Sequence, residues 1–258
     1  MNLFVLLKTV PDTVEELTVA ADEKSLDAEW LRLKLGDSDE HAVEQALLLK
    51  EKHGGQVTVV ALDAPEIDDA LFTALAKGAD RAVKLVGELG ELGSLAAARL
   101  FADFLRGGGG TLAADSLILL RGQSIDDLEG EIGPFVAGQL GLPYVGVVVA
   151  VALEGGTMAV TKEFAGGLRG EFRLPLPAVL GIQAAEKPPR YVPIAKVRAV
   201  AKTAAIEIVD VTVPQPASRL AVERMYRPEV ANRAQMFEGS PEGVAAQIVD
   251  LLAKQSLI

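Results

Sequence analysis

The chain has 258 residues and half of them are hydrophobic, which suits one large domain or two small ones around a sizeable buried core. Its 36 acidic residues against 25 lysines and arginines give a formal net charge of −11, which argues against a general nucleic-acid or anionic-membrane binder. Cysteine is absent and histidine occurs twice, so the composition excludes thiolate chemistry and Cys-ligated metals, and no metal site is expected.

Alternating strand and helix patterns fill the first half of the chain. Short apolar runs predict buried strands at 2–7, 56–62, 82–86 and 115–120. Apolar residues at helical spacing predict helices at 37–53, 65–78, 94–106 and 131–140. This order predicts the α/β class, with a doubly wound parallel sheet and helices on both faces. Ligands of such sheets collect beyond the carboxyl ends of the strands, so the loops after residues 7, 62 and 120 are candidate binding loops.

The alternation of strand and helix patterns ends at Pro143. The runs 145–153 and 158–163 predict a β-hairpin, and the runs 168–174 and 178–182 are expected to continue its antiparallel pattern. These four strands form the predicted antiparallel extension of the sheet.

The last quarter of the chain is less regular. A strand is expected at 205–213 and a helix at 241–254. Residues 217–239 show weak periodicity, which predicts an arm that packs on another surface.

The most informative stretch begins where the strand at 115–120 ends. Residues 121–134 turn with polar side chains and then enter a helix, whose free amides can hold an anion. The same pattern also fits a polar turn whose acidic side chains cap the helix. From the residues alone, nucleotide binding and simple capping both remain open.

At this stretch the sequence resembles the β subunit of electron-transfer flavoproteins. The nucleotide loop of that family follows the pattern Gly-(Lys/Arg)-Gln-x-Ile-Asp-(Asp/Gly)-Asp-x-x-Gln-x-Gly. Matching positions are held here by Gln123, Ile125, Asp126, Asp127 and Gly133. Further resemblances occur in the same order as in the family, at 36–46, 73–82, 160–168 and 176–179.

The resemblance implies a fold and a function. The fold is the adenine-nucleotide α-hydrolase-like form of the doubly wound sheet, with a nucleotide-binding domain over residues 1–185. Residues 186–258 would form a partner-docking loop and a C-terminal arm that packs on an α subunit. The function is that of the β subunit of a heterodimer, which carries electrons from flavin dehydrogenases to a membrane or quinone-linked acceptor. FAD would be shared with the α subunit, and the β subunit would hold AMP, or a second FAD in electron-bifurcating members.

Carried over position by position, the resemblance also implies a nucleotide site. Backbone amides and a helix N-terminus would meet the phosphate, and an apolar crevice would receive the adenine. The implied site residues are Leu6, Lys8, Gly36, Asp37, Ser38, Asp39, Leu62, Gly122, Gln123, Ser124, Ile125, Asp126, Asp127, Gly130, Glu131, Ile132 and Gly133.

The phosphate end of this site departs from the family pattern. Ordinary members have Asn, Gln and Thr where this chain has Gly130, Glu131 and Ile132, and four carboxylates fall within residues 126–131. These carboxylates would repel a phosphate, although contacts to backbone amides could survive. The alternative is that they cap the helix themselves and leave the pocket weak or empty. The segments 10–13 and 132–134 resemble bifurcating members, but 128–131 does not, so bifurcation stays open.

A basic segment is the second functional candidate. Residues 186–202 carry a net charge of +4 in a chain of −11. The family docks dehydrogenases through the corresponding loop, with an aliphatic anchor after an Arg-Tyr pair. The resemblance assigns this docking to Arg190, Tyr191, Ile194, Lys196 and Arg198. An aliphatic side chain ringed by charges suits a weak, fast encounter. A solvated lysine-rich loop with a buried Ile194 fits the same residues.

No residue is predicted to act as a catalyst, and the redox chemistry is expected to belong to flavin. The aromatic that approaches the flavin in ordinary members is replaced here by Thr13 or Ser38, so direct aromatic contact is not expected. Trp30 is expected to pack in the interior. Two other functions share the predicted fold: a universal-stress-type nucleotide-binding module without a redox partner, and a pyrophosphatase-type enzyme. The latter needs a Ser- and Gly-rich phosphate loop, which 121–133 does not supply.

No stretch predicts a membrane span or a targeting signal. The longest apolar run, 144–153, is about half as long as a spanning helix. The run 3–7 is too short for the core of a signal peptide and is followed by Lys8. We therefore expect a cytoplasmic protein without direct membrane insertion.

Overall fold

The computed structural model describes residues 1–90, 92–107, 110, 112–126, 130–215, 220–228 and 234–258. The chain divides into two compact units, Met1–Arg224 and Met225–Ile258. The predicted docking segment at 186–202 belongs to the first unit, and the division of roles at residue 185 stays a prediction.

The strands of the first unit are β1 (Asn2–Leu7), β2 (Thr9–Pro11), β3 (Leu33–Leu35), β4 (Gln56–Leu62), β5 (Arg81–Val86), β6 (Ser116–Arg121), β7 (Tyr144–Glu154), β8 (Thr157–Glu163), β9 (Arg169–Pro175), β10 (Ala178–Ile182) and β11 (Glu207–Asp210). Its helices are α1 (Asp37–His53), α2 (Ile67–Lys77), α3 (Ser94–Gly107), α4 (Ile132–Leu140) and α5 (Ile194–Ala201). The second unit contains α6 (Pro241–Lys254). Its N-cap residue is Ser240, whose hydroxyl oxygen accepts a hydrogen bond from the Gly243 amide.

Within the described residues, nine strands form one sheet in the order β11-β5-β4-β1-β6-β10-β7-β8-β9. The strands from β11 to β7 are parallel, and β8 and β9 are antiparallel additions at one edge. This mostly parallel sheet with helices confirms the predicted α/β class. The chain runs from β1 outward through β4 and β5 and returns to place β6 on the other side of β1. The carboxyl ends of β1 and β6 therefore border the crevice at the topological switch point, where such sheets bind ligands.

Two hydrophobic cores lie on opposite faces of the sheet. Alternate residues of β1 point to opposite sides, so Leu3, Val5 and Leu7 pack with α1 and α2. Phe4 and Leu6 pack with α3 and α4 on the other face. Burial of apolar area on both faces explains why the parallel strands read as continuous apolar runs.

The prediction that residues 178–182 continue the antiparallel pattern is wrong. Strand β10 lies inside the sheet, where it pairs in parallel with both β6 and β7. All five of its residues are buried, as expected of a strand covered on both faces. The chain thus leaves the main sheet through the β7–β8 hairpin and returns to it with β10.

Two smaller expectations also fail. Trp30 is 74% exposed, because it lies in the excursion between β2 and β3 and belongs to neither core. The predicted docking loop is partly helical, since α5 occupies residues 194–201 and packs against α2.

Glycines make room for one aromatic ring between the sheet and α4. A Cβ atom at Gly133, Gly146 or Gly181 would lie 2.7, 2.7 or 2.5 Å from atoms of Tyr144. The Tyr144 ring therefore fills the space that these residues leave, and the first turn of α4 approaches the sheet closely.

We expect Gly181→Ala to destabilise the fold by about 1–3 kcal/mol, because its methyl group would overlap the Tyr144 hydroxyl in a packed region. Gly138→Ala in α4 is the control, since a Cβ at Gly138 would have no neighbour within 4 Å. Urea unfolding should show a loss for the first variant and none for the second. Equal stabilities would contradict the close packing around Tyr144.

Candidate functional site

Four charged side chains meet at the crevice between β1 and β6. Lys8 follows β1, Arg121 ends β6, Asp39 lies in the first turn of α1, and Asp126 lies in the loop after β6. We call these four residues the Arg121 cluster. Three of them are among the predicted nucleotide-site residues, and Arg121 is not.

Arg121 is the centre of the cluster. Its side chain is only 4% exposed. Its Nη1 atom donates hydrogen bonds to the Lys8 carbonyl oxygen at 2.8 Å and to Asp39 Oδ2 at 3.2 Å. Its Nη2 atom lies 3.5 Å from Asp126 Oδ1. One guanidinium thus joins the end of β1, the start of α1 and the loop after β6.

Asp39 is buried on the α1 side of the cluster, with its side chain 1% exposed. Burial raises the pKa of this carboxyl to about 6, although the charge and hydrogen bond of Arg121 and the Gly36 amide oppose the rise. The Gly36 amide donates to Asp39 Oδ2 at 3.1 Å. Asp39 Oδ1 has no hydrogen-bond partner among the described residues.

Asp126 lies on the solvent side of the cluster. Its Oδ2 atom is 2.5 Å from Lys8 Nζ, and its Oδ1 atom accepts a hydrogen bond from the Ser124 hydroxyl. Burial alone would raise its pKa, but Lys8, Ser124 and Arg121 outweigh burial and lower the pKa below the usual value. Asp126 is therefore ionised and its charge is engaged by both cations of the cluster.

The other predicted nucleotide-site residues are spread around this crevice. Leu6 and Leu62 are 2% and 5% exposed and lie in the core beneath α3 and α4. The buried group also includes Gly122, Ile132 and Gly133. Partly or fully exposed are Gly36, Asp37, Ser38, Gln123, Ser124, Ile125, Gly130 and Glu131. Asp127 lies outside the described residues.

Sequence reasoning missed Arg121. The only local signal is a charged residue at the end of the strand, directly after the apolar run 117–120. The family pattern offers a second signal, because it has glycine at position 121 and lysine or arginine at position 122, where this chain has Arg121 and Gly122. The basic side chain thus stands one position earlier, on the buried strand.

Helix α1 also holds the start of the predicted docking segment. The amides of Ala185 and Glu186 donate to His41 Nδ1 and to Gln45 Oε1, each at 3.1 Å. These hydrogen bonds hold residues 185–186 against the side of α1.

Arg190 is bound to the same helix. Its Nε and Nη2 atoms donate to the Glu44 carboxylate at 2.8–3.1 Å, and its Nη1 atom lies 2.6 Å from Glu51 Oε1. The hydrogen bonds to Glu44 and Glu51 raise the pKa of Arg190 above its usual value. Arg190 was predicted to contact a partner, but its guanidinium is engaged within the chain.

Several side chains that follow Arg190 are exposed to solvent. Tyr191 is 86% exposed and Ile194 is 66% exposed. Lys196 and Arg198 on α5 are exposed as well. Ile194 is therefore accessible, and the alternative of a buried isoleucine does not apply.

The described part of the chain offers neither a metal site nor a membrane-spanning helix. No group of three or more His, Cys, Asp or Glu residues there is arranged to hold a metal ion. No helix there has the length and apolar character needed to cross a membrane.

The raised pKa of Asp39 predicts a pH dependence of stability. Its pKa of about 6 exceeds the ordinary value of 3.8, so the folded chain takes up this proton more readily than the unfolded chain. The stabilising contribution is complete below the ordinary value and is lost as the pH rises through 6. We expect the unfolding free energy of the native chain minus that of Asp39→Asn to fall between roughly pH 3 and pH 7, by at most about 3 kcal/mol. Urea titrations measure this difference, and a rise over the same range would contradict the raised pKa.

Comparison with known proteins identifies the family. The Electron transfer flavoprotein domain model matches residues 28–215. The electron transfer flavoprotein subunit beta of Syntrophomonas wolfei is 33% identical over 244 residues, which is 89% of this chain and 93% of the relative. The subunit of the same name from Bacillus subtilis is 26% identical over the full length of both chains. Protein FixA of Azorhizobium caulinodans is 32% identical over 173 residues, covering 66% of this chain and 61% of the relative. The chain therefore belongs to the β subunits of the electron transfer flavoprotein family.

Proposed function

We propose that this chain pairs with an α subunit and carries electrons from flavin dehydrogenases to a membrane or quinone-linked acceptor. The observation that carries the proposal is the similarity to electron transfer flavoprotein β subunits along the whole chain. The universal-stress and pyrophosphatase alternatives are not favoured, since the matching relatives are β subunits of this family and FixA. The finer assignment of the sheet to the adenine-nucleotide α-hydrolase-like type is supported by the switch point between β1 and β6.

FAD shared with the α subunit would supply the redox chemistry. This chain could contribute hydrogen bonds to such a shared FAD, because Thr13 is exposed and Ser38 is partly exposed, and both side chains carry hydroxyl groups. This chain's own part is then to bind and orient the partner surface, without a catalytic side chain.

The docking role falls to the exposed residues after Arg190. Tyr191 and Ile194 offer an aromatic and an aliphatic contact, and Lys196 and Arg198 surround them with positive charge. Such a surface suits a partner with an apolar pocket and an acidic rim. Arg190 acts as a positioning residue, since its bonds to Glu44 and Glu51 hold the segment against α1.

Co-expression with the α subunit tests the proposed function. We expect a stable heterodimer that retains flavin, which an absorbance spectrum of the purified complex detects. A colourless chain that retains no partner would refute the proposal.

Ile194→Ala tests the docking surface. Loss of a central aliphatic contact should lower kcat/KM for electron transfer from the dehydrogenase partner about tenfold, mostly through KM. Ile208→Ala is the matched control, because Ile208 is 63% exposed but lies on β11. Equal kcat/KM values for the two variants would show that Ile194 is not part of the docking surface.

A further inference from the structure

We propose that His41 is a positioning residue for the predicted docking segment, and that protonation of its imidazole releases the start of that segment from α1. This role rests on the proposed function, because it concerns how the residues around Ile194 are held for a partner. The evidence is a set of hydrogen bonds between one side of α1 and residues 185–190.

Three backbone amides before α5 donate to side chains of α1. The three pairs, with donor–acceptor distances of 3.0–3.1 Å, are Ala185 with His41 Nδ1, Glu186 with Gln45 Oε1, and Arg190 with Glu44 Oε2. Residues three or four apart share one side of a helix, so the three acceptors lie together. We call these acceptor side chains the α1 latch. Because β10 ends at Ile182, the latch determines the path of the chain as it leaves the sheet.

His41 is the member of the latch whose hydrogen bond depends on a neutral ring. A backbone amide can only donate, so His41 Nδ1 carries no hydrogen when it binds the Ala185 amide. A protonated imidazole carries hydrogen on both nitrogens, and its Nδ1–H would face the Ala185 N–H. Histidine side chains ordinarily change charge between about pH 5 and pH 8. Acidification in this range therefore breaks the first hydrogen bond of the latch.

The charged groups around His41 are contributed by four parts of the fold. They are Asp37, Asp39, Glu40 and Glu44 on α1, Arg121 on β6, Lys77 on α2, and Glu186, Lys187 and Arg190 on the segment itself. Asp39, Glu40 and Glu44 are each paired with one of these cations. Asp39 titrates in the same range as histidines, since burial raises its pKa to about 6. An experiment has to separate the effect of His41 from that of Asp39.

The release is local, because the rest of the latch does not depend on the charge of His41. Gln45 has no ionisable group, and Glu44 is held by Arg190 through its guanidinium as well as its amide. Residues 185–186 therefore loosen first, and α5 keeps its connection to α1 through Arg190. The expected consequence is a less well positioned docking segment in acid, and hence weaker binding of a dehydrogenase without a change in the redox chemistry.

Hydrogen exchange tests the latch directly. Mass spectrometry of the purified heterodimer gives the protection of the Ala185 and Glu186 amides, relative to the intrinsic exchange rate at each pH. We expect their protection to fall about fivefold from pH 8 to pH 5.5, which is the effect of losing one hydrogen bond. The KM for the dehydrogenase should rise by a similar factor while kcat stays constant.

His41→Asn is the decisive variant, because its Oδ1 atom stands as many bonds from the backbone as Nδ1 and accepts a hydrogen bond without titrating. We expect it to keep high protection at both pH values. His41→Ala should show low protection at both. His53→Asn is the matched control, since His53 is exposed at the end of the same helix and should keep the native pH profile.

The comparison of the native chain with His41→Asn decides the role of His41, also if the alanine variant does not fold. Equal pH profiles for these two proteins would overturn the proposal and assign the pH dependence to Asp39. Protection of residues 185–186 that does not change with pH in the native chain would overturn it as well. Hydrogen exchange thus decides the role of His41, while retention of a partner and flavin decides the proposed function.

Discussion

The organisation of the crevice depends on a positive charge buried at the end of a strand. All six residues of β6 are buried, and the last of them is Arg121. An ion in such a position is tolerated only when partners compensate for the loss of water. These partners come from the end of β1, the first turn of α1 and the loop after β6. The three segments that border the switch point are therefore held by one group.

Helix α1 extends this arrangement to the predicted docking segment. Its buried Asp39 faces Arg121, and further along the helix the buried Glu44 faces Arg190. Each carboxylate forms an ion pair with an arginine that is distant in sequence. Because the helix is a continuous hydrogen-bonded element, the crevice and the segment that carries Ile194 are both positioned by it.

The fold was predictable where local residues determine it. The apolar runs of β1, β4 and β6, and the glycines that end α1 and α2, are sufficient for the α/β order. The position of β10 was not predictable, because five apolar residues can pair with either orientation of neighbour. Its place is determined by β6 and β7, which lie far away in sequence. The exposure of Trp30 has a similar origin, since no local signal states that its segment lies outside both cores.

The ion pairs of the chain were not predictable from sequence either, because their partners lie far apart in the chain. This matters for function, since a paired charge is not free to contact a partner protein. Motif positions assigned Lys8, Asp39 and Asp126 to the nucleotide site and Arg190 to the docking segment. They did not show which of these charged groups form ion pairs within the chain. The partners of Arg190 are Glu44 and Glu51, over a hundred residues away. Of the three charged residues predicted for docking, Lys196 and Arg198 are exposed and form no ion pair with the described residues. In the proposed docking surface, electrostatic attraction of a partner would fall to α5, while the ion pairs of Arg190 hold the preceding segment against α1.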